Sequence, residues 1–309
     1  MLAWFGLSSG KYYDWRKRRN REIQHNGSIP KSHWILPWEN QAIIAYRLEH
    51  IDEGYYRLCF MMLDENVVAV SPSTVYRALK CEGLLNVKWR HHKARGSGFV
   101  QPTKPHEHWH LDISYINFKG TFVYLVCLVD GYSRYVVHFE LRTSIEALDV
   151  EIMLERAREN YPGTSPILIT DNGPQFIAKE FKLYLKDVGI THRKTRFFYP
   201  QSNGKIERFY QTCKNELIRK KSFLNLDDLK NQLAKYIDDY NTKRLHSSLG
   251  YITPEDMLLG HREEIFAQRK EKLKRARDNR IKQRALLIAK RDSELPPYNK
   301  DQLFKFTLN

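Results

Sequence analysis

Three acidic side chains stand out by their settings. Asp112 lies inside the apolar run Trp109-His110-Leu111-Asp112-Ile113-Ser114-Tyr115-Ile116. Asp171 ends a second apolar run, Ile167-Leu168-Ile169-Thr170, and precedes the turn residues Asn172-Gly173-Pro174. Glu207 follows Pro200-Gln201-Ser202-Asn203-Gly204, which reads as a loop entering a helix, with Ser202 or Asn203 capping the free amides of its first turn. There the helix dipole favours an ionised carboxylate by about 0.3–1 kcal/mol. Carboxylates converging from separate elements suit a hard divalent cation, and Mg²⁺ takes few of them, completing its shell with water and phosphate oxygens. Two such ions about 3.5–4 Å apart serve phosphodiester cleavage, one at the attacking oxygen and one at the leaving oxygen. Read singly, Asp171 could be a turn residue and Glu207 a solvent-facing helix acid. Asp112 is harder to dismiss, because an unpaired carboxylate buried in a strand costs several kcal/mol.

The elements that must position these acids follow from pattern. Alternation predicts strands at His108–Ile116, Thr121–Val129 and Arg134–Leu141, the last two joined by the hairpin signal Asp130-Gly131-Tyr132-Ser133. A helix is expected over Ser144–Asn160, with Ile145, Leu148, Ile152 and Leu154 as its apolar positions. Then come a strand at Pro166–Thr170, a helix at Pro174–Val188, a strand near Ile190–Thr195 and the helix carrying Glu207. Three antiparallel strands followed by alternating helices and strands is the order of a ribonuclease-H-like α/β core with a mixed five-stranded sheet. It would occupy residues 108–258, closing with an amphipathic helix at Leu226–Tyr240 and the run Tyr240-Asn241-Thr242-Lys243-Arg244-Leu245-His246-Ser247-Ser248-Leu249.

Four further segments surround that core. Residues 1–38 read as a basic N-terminal segment and linker. Residues 39–85 carry three short helical patterns, at Asn40–His50, Gly54–Asn66 and Ser71–Glu82. The third has Ser71 as N-cap, Pro72 at the first position and Gly83 at the stop. Such a trio reads as a helix-turn-helix-like domain that would turn Ser73, Thr74, Tyr76 and Arg77 towards DNA, or as a plain helical bundle. Residues 86–107 form a basic linker with Lys88 and Arg90, and residues 259–309 a basic helical tail.

The charge distribution bounds the partner. The net charge of the 309-residue chain is +15, with +7 in residues 261–292, +5 in 84–104 and +4 in 1–30, so the remainder is nearly neutral. Basic flanks around a neutral core point to a polyanion held by arms, or to a solvated basic surface. No run of about 18 apolar residues and no signal-peptide pattern is present, so neither a spanning helix nor secretion is expected. The scattered Cys59, Cys81, Cys127 and Cys213 argue against disulfides and zinc fingers, and the cytoplasm is the expected compartment.

Thirty-five residues separate Asp171 from Glu207. With one Asp inside a first strand, a second at a strand end and a Glu on a helix, residues 105–255 resemble the DDE transposase and integrase superfamily. Leu7-Ser8-Ser9-Gly10-Lys11-Tyr12-Tyr13-Asp14-Trp15, Gly54-Tyr55-Tyr56-Arg57-Leu58 and Ser73-Thr74-Val75-Tyr76-Arg77 extend the likeness. Together they resemble second-reading-frame transposases of the bacterial IS-three insertion-sequence family. The run Gln201-Ser202-Asn203-Gly204 departs from the Asp-Asn-Ala of many members.

The resemblance implies a polynucleotidyl transferase that cleaves insertion-sequence ends and transfers them into DNA. It implies two Mg²⁺ ions, replaceable by Mn²⁺, with Asp112 bridging both and Asp171 and Glu207 each holding one. It also implies DNA ends and target as partners, a first-reading-frame protein of the same element, a dimer or higher oligomer on DNA, and a nucleoid-associated location in the bacterial cytoplasm. Lys214 and Gln211 follow Glu207 on one helical face and would contact DNA. Asn203, Lys205 and Arg208 would meet phosphates at the helix start, while Arg77, Lys88 and Arg90 would add outer contacts. His106, His108 and His110 alternate and would share one strand face. Two other readings stay open: a non-catalytic DNA-binding regulator of transposition, and a ribonuclease-H-like nuclease.

Overall fold

The computed structural model describes residues 7–18, 31, 33–85, 101–195 and 203–294. Lys88, Arg90, Tyr199 and Ser202 lie outside the described residues. The chain divides into two compact units, residues 42–272 and residues 1–41 with 273–309.

The larger unit is built on five strands: β1 (His108–Phe118), β2 (Thr121–Asp130), β3 (Val136–Arg142), β4 (Ile167–Thr170) and β5 (Thr191–Lys194). They hydrogen-bond in the order β3-β2-β1-β4-β5. The β1–β2 and β2–β3 pairs are antiparallel, and β1–β4 and β4–β5 are parallel. This is the ribonuclease-H-like architecture that the order of elements predicts. Among the described residues the α-helices are, in chain order, α1 (Ser9–Arg18), α2 (Pro37–Glu49), α3 (Tyr55–Asp64) and α4 (Pro72–Cys81) before the first strand, α5 (Ala147–Asn160), α6 (Pro174–Ile177) and α7 (Lys179–Asp187) between strands, and α8 (Gly204–Cys213, carrying Glu207), α9 (Leu226–Thr242), α10 (Pro254–Leu259) and α11 (Arg262–Glu294) after the last.

Each face of the sheet has its own core. On one, Trp109, Leu111, Val126 and Leu128 pack against Val150, Met153, Leu154 and Ala157 of α5 and against Phe176, Phe181 and Leu185. On the other, Val123, Leu125, Cys127 and Val129 meet Ile206, Phe209, Tyr210 and Cys213 of α8 and Leu229, Leu233 and Ile237 of α9. Alternation along β1 and β2 therefore sorts side chains between two helix layers.

Three local expectations are corrected. In α5 the buried stripe is Val150, Met153, Leu154 and Ala157, whereas Leu148 and Ile152 are exposed. The helix starts at Ala147, with Glu146 and Asp149 in a reciprocal capping box. The single helix expected over Pro174–Val188 breaks at Ala178, whose backbone is extended (φ −52°, ψ 144°). Phe176 and Phe181 are five residues apart and would leave an unbroken helix on different sides. The break lets both into one core, with ring centroids 6.1 Å apart. At α4, Ser71 is the N-cap residue, but its hydroxyl bonds Ser73 and Thr74 hydroxyls rather than a backbone amide.

The helices α3 and α4 belong to the same unit as the sheet. Arg57 donates to the Leu245 carbonyl at 3.1 Å. Arg269 of α11 forks onto Asp64 at 2.6 and 2.8 Å, and Lys272 donates to the carbonyls of Leu63 and Asp64. In the smaller unit, Arg280 donates to both Glu39 oxygens at 2.9 Å, and Glu39 also accepts the Leu36 amide. No described helix is long and apolar enough to cross a membrane.

Two side chains finish the sheet's outer strand. Asn241, 5% exposed, accepts the Val136 amide at 2.9 Å and donates to the Val136 carbonyl at 3.1 Å, imitating a neighbouring strand. Replacing Asn241 with Ala should strand both buried groups and lower unfolding stability by about 2–4 kcal/mol. A urea titration that finds less than about 0.5 kcal/mol would refute this role. Glu140 ties β3 to α5, accepting from Arg142 and Arg156 at 2.7 Å each. Burial pushes its carboxyl up, but the two guanidiniums outweigh that and hold it below the ordinary value. Ionised Glu140 therefore stabilises the fold above the unfolded carboxylate pKa, and this is lost as pH falls through the folded one. Glu140→Gln should cost about 1 kcal/mol near pH 7, with the gap to the parent closing in acid, as followed by denaturant melts across pH.

Candidate active site

The parallel pairing of β1 with β4 aligns His108 with Ile167, Trp109 with Leu168 and His110 with Ile169. Continued two residues, the same offset sets Asp112 level with Asp171, just past the end of β4. Asp171 turns the chain there, its Oδ1 accepting the Gly173 amide at 2.8 Å. Thr170 beside it is fully buried and its hydroxyl meets His192 at 2.9 Å. From the other layer, α8 places Glu207 in its first turn, above a buried stripe of Ile206, Phe209, Tyr210 and Cys213.

Asp112 senses both of the other acids. Burial pushes the Asp112 carboxyl up to about 7. The Ile113 amide and the Lys214 ammonium draw it down, while the charges of Asp171 and Glu207 push it further up. Burial also raises the Glu207 carboxyl, although its side chain reaches solvent. An oxygen-only donor set drawn from three elements and short of positive charge fits a hard divalent cation. Among the described residues no group of three His, Cys, Asp or Glu side chains forms a ready-made cage, and an ion that keeps water and phosphate oxygens in its shell does not need one.

The cations divide into inward and outward groups. Lys214 lies two turns beyond Glu207, close enough to Asp112 to act on its titration. Gln211 and Arg208 are exposed on α8, and Arg77 is exposed on α4, where it bonds the Ser73 carbonyl and the Thr74 hydroxyl. Lys205 turns inward instead. Its Nζ donates to the Gly131 carbonyl at 2.8 Å, and burial together with nearby Arg134 lowers its pKa to about 7.

Asn203 turns inward. It is 3% exposed and pairs through Oδ1 with Nδ1 of His110 at 3.1 Å, without capping α8. Burial holds His110 neutral, down to about 3, so we assign the imidazole as donor in that bond. A loop that must seat a helix against the sheet here uses its polar cap residue as an internal tie. His106 does not share the strand face of His108 and His110. It precedes β1 with a left-handed backbone (φ 58°), and its Nδ1 accepts the Trp109 indole N–H at 3.1 Å.

Immediately after α8 the helix widens into a π turn, Lys214–Ile218, where the Arg219 amide reaches the Lys214 carbonyl at 2.9 Å. Glu216 within it takes a fork from Arg244 at 2.7 and 3.0 Å and a hydroxyl from Tyr236 at 2.9 Å. These roles for Glu216, Arg244 and the Tyr236 hydroxyl were not legible as chemistry. The one available signal was that Glu216 follows Lys214 by two residues and that Arg244 sits in the polar run after α9.

Residues 102–200 match the family described as integrase core domain, and residues 188–254 match a second integrase core domain family. A transposase for insertion sequence element IS904 of Lactococcus lactis is 30% identical over 180 residues, covering 55% of this chain and 71% of that protein. The chain belongs to the insertion-sequence transposases with an integrase core. A 31 kDa protein of insertion element IS600 from Shigella sonnei is 27% identical over 272 residues, or 82% of this chain and 96% of that protein. IS600 is an IS-three element, in keeping with the resemblance seen in the sequence. Among solved structures, a dimeric HTLV-2 integrase catalytic core in complex with magnesium aligns over 50% of this chain and 98% of its own, at 20% identity and a TM-score of 0.41.

In this transposase family member the hairpin after β2 closes tightly on β1. Gly131 donates to the His108 carbonyl, and a Cβ there would lie 3.0 Å from His110 Nε2 and 3.1 Å from His108 Cβ and carbonyl oxygen. Gly131→Ala should therefore push β1 beneath Asp112 and destabilise the chain by about 1–3 kcal/mol. An unchanged melting temperature would show that this contact yields freely.

Proposed function

We propose that this chain is a divalent-metal-dependent DNA transposase that cuts at the ends of its insertion sequence and joins them to target DNA. The observation that carries the reading is the convergence of Asp112, Asp171 and Glu207 from β1, the end of β4 and α8. Asp112, on which the charges of the other two both act, would contact both ions, with Asp171 and Glu207 each holding one. Bound Mg²⁺ would supply activation of the attacking oxygen and charge relief at the leaving oxygen.

The chain's own residues would do the rest. β1, β4 and α8 fix the carboxylates in advance. Lys214, beside Asp112, would hold a phosphate oxygen of the DNA end, with Gln211 and Arg208 extending that contact along the exposed side of α8. In cleavage a water oxygen bonds phosphorus and the P–O3′ bond breaks, freeing a 3′-hydroxyl. In joining, that hydroxyl bonds a target phosphorus and another P–O3′ bond breaks, so no oxidant or energy carrier is consumed. Basic segments around the near-neutral core support DNA as partner. Two ends must be joined, so a dimer or higher oligomer would assemble on DNA, with a first-reading-frame protein of the same element supplying end recognition, in the bacterial cytoplasm at the nucleoid.

The test uses supercoiled plasmid carrying the element ends, full-length protein and Mg²⁺ or Mn²⁺. Asp112→Asn, Asp171→Asn and Glu207→Gln should each reduce nicking and joining by at least about 10²-fold while DNA binding persists. Full joining by either Asp171→Asn or Glu207→Gln would overturn the assignment. DNA binding with no metal-dependent activity in any protein would favour a regulator instead.

A further inference from the structure

The hydroxyl of Tyr210 lies over the seam between β1 and β2. It accepts the Cys127 amide at 3.1 Å and stands 2.6 Å from the Asp112 carbonyl and 3.2 Å from that of Leu125. A hydroxyl has a single proton to give, and the shorter contact identifies the Asp112 carbonyl as its acceptor. The ring is 5% exposed and packs in the core shared by α8, α9 and the sheet. Tyr210 is three residues beyond Glu207, so the two leave adjacent positions on one helix. A single side chain therefore ties the helix that bears Glu207 to the main chain of Asp112.

Phenylalanine would fill the same space. What tyrosine adds is one hydroxyl, and it binds main-chain groups on both sides of the strand pair, one of them belonging to the residue that carries the central carboxylate. Two elements that only pack through apolar contacts can slide, whereas a hydrogen bond to a fixed carbonyl sets distance and angle. Such a setting matters most to Mg²⁺, which demands near-octahedral geometry at about 2.0–2.1 Å, and much less to Ca²⁺, whose shell is larger and flexible.

We propose that Tyr210 is a positioning residue whose hydroxyl fixes the spacing of Asp112 and Glu207 and thereby the site's preference for a small divalent cation. The inference rests on the metal-site reading of those carboxylates given above.

Calorimetric titration of the full chain with Mg²⁺ alone and with Ca²⁺ alone tests it, with thermal melting recorded for every protein. Tyr210→Phe should raise the Mg²⁺ dissociation constant by about tenfold, the usual scale for losing an outer partner of a metal ligand, while changing that for Ca²⁺ by less than about threefold. Tyr236→Phe removes another hydroxyl from the same core without touching β1, and should leave the ratio of the two constants unchanged. An unchanged ratio in Tyr210→Phe would overturn the proposal, whether both constants stay put or both rise together with a lowered melting temperature. Glu207→Gln separates the two levels of the argument. If it binds Mg²⁺ as tightly as the parent, the carboxylate-site reading fails and the role of Tyr210 falls with it. If it abolishes binding while Tyr210→Phe does nothing, Tyr210 alone is refuted.

Discussion

The parallel ladder between β1 and β4 is the constraint on which the site depends. Carboxylates repel one another, and nothing about three acids brings them together unless the backbone holds them from behind. Here the ladder sets one strand residue beside one strand end, and the two helix layers lock the sheet from both faces. The upward displacement of the Asp112 carboxyl, driven first by burial and then by Asp171 and Glu207, records that confinement. Rigid convergence of like charges is a preorganised demand for cations, and it is built from elements that would be stable cores in their own right.

Cations around this centre are sorted by direction rather than by number. Lys205 and Lys214 flank Glu207 in the sequence, yet Lys205 is spent on the Gly131 carbonyl and Lys214 stays near Asp112. His110 and Asn203 form a neutral pair behind the start of α8, so the helix is seated without adding charge to the acidic pocket. The basic excess that dominates the composition is carried outside the core, which leaves the centre's electrostatics to a few residues.

The strands and their order were legible because alternation has a period that burial enforces, and Asp112 stood out because a charge inside an apolar strand is expensive. Finer features escaped for physical reasons. The break at Ala178 contains no glycine or proline; it exists because Phe176 and Phe181 both belong in one core. The exposure of Leu148 and Ile152 could not be judged from apolar character, since α5 holds two apolar stripes and the sheet takes the one of Val150, Met153, Leu154 and Ala157. Asn203 carried the chemistry of a cap and of a phosphate ligand alike, whereas its side chain is buried and spent on His110. Asn241, Glu216 and Arg244 act across more than twenty residues of sequence, a distance over which spacing carries no signal.

The π turn has a bearing on how such a chain tolerates change in length. A π turn is one residue inserted into an α-helix, and here the insertion falls after Lys214. Glu207, Gln211 and Lys214 keep their ordinary helical spacing, while everything beyond is rotated so that Glu216 meets Arg244. The helix thus behaves as a ruler with its slack at the far end. A lineage could lose or regain that residue and retune how α8 hands over to α9 without disturbing the graduations that carry the acid and the lysine.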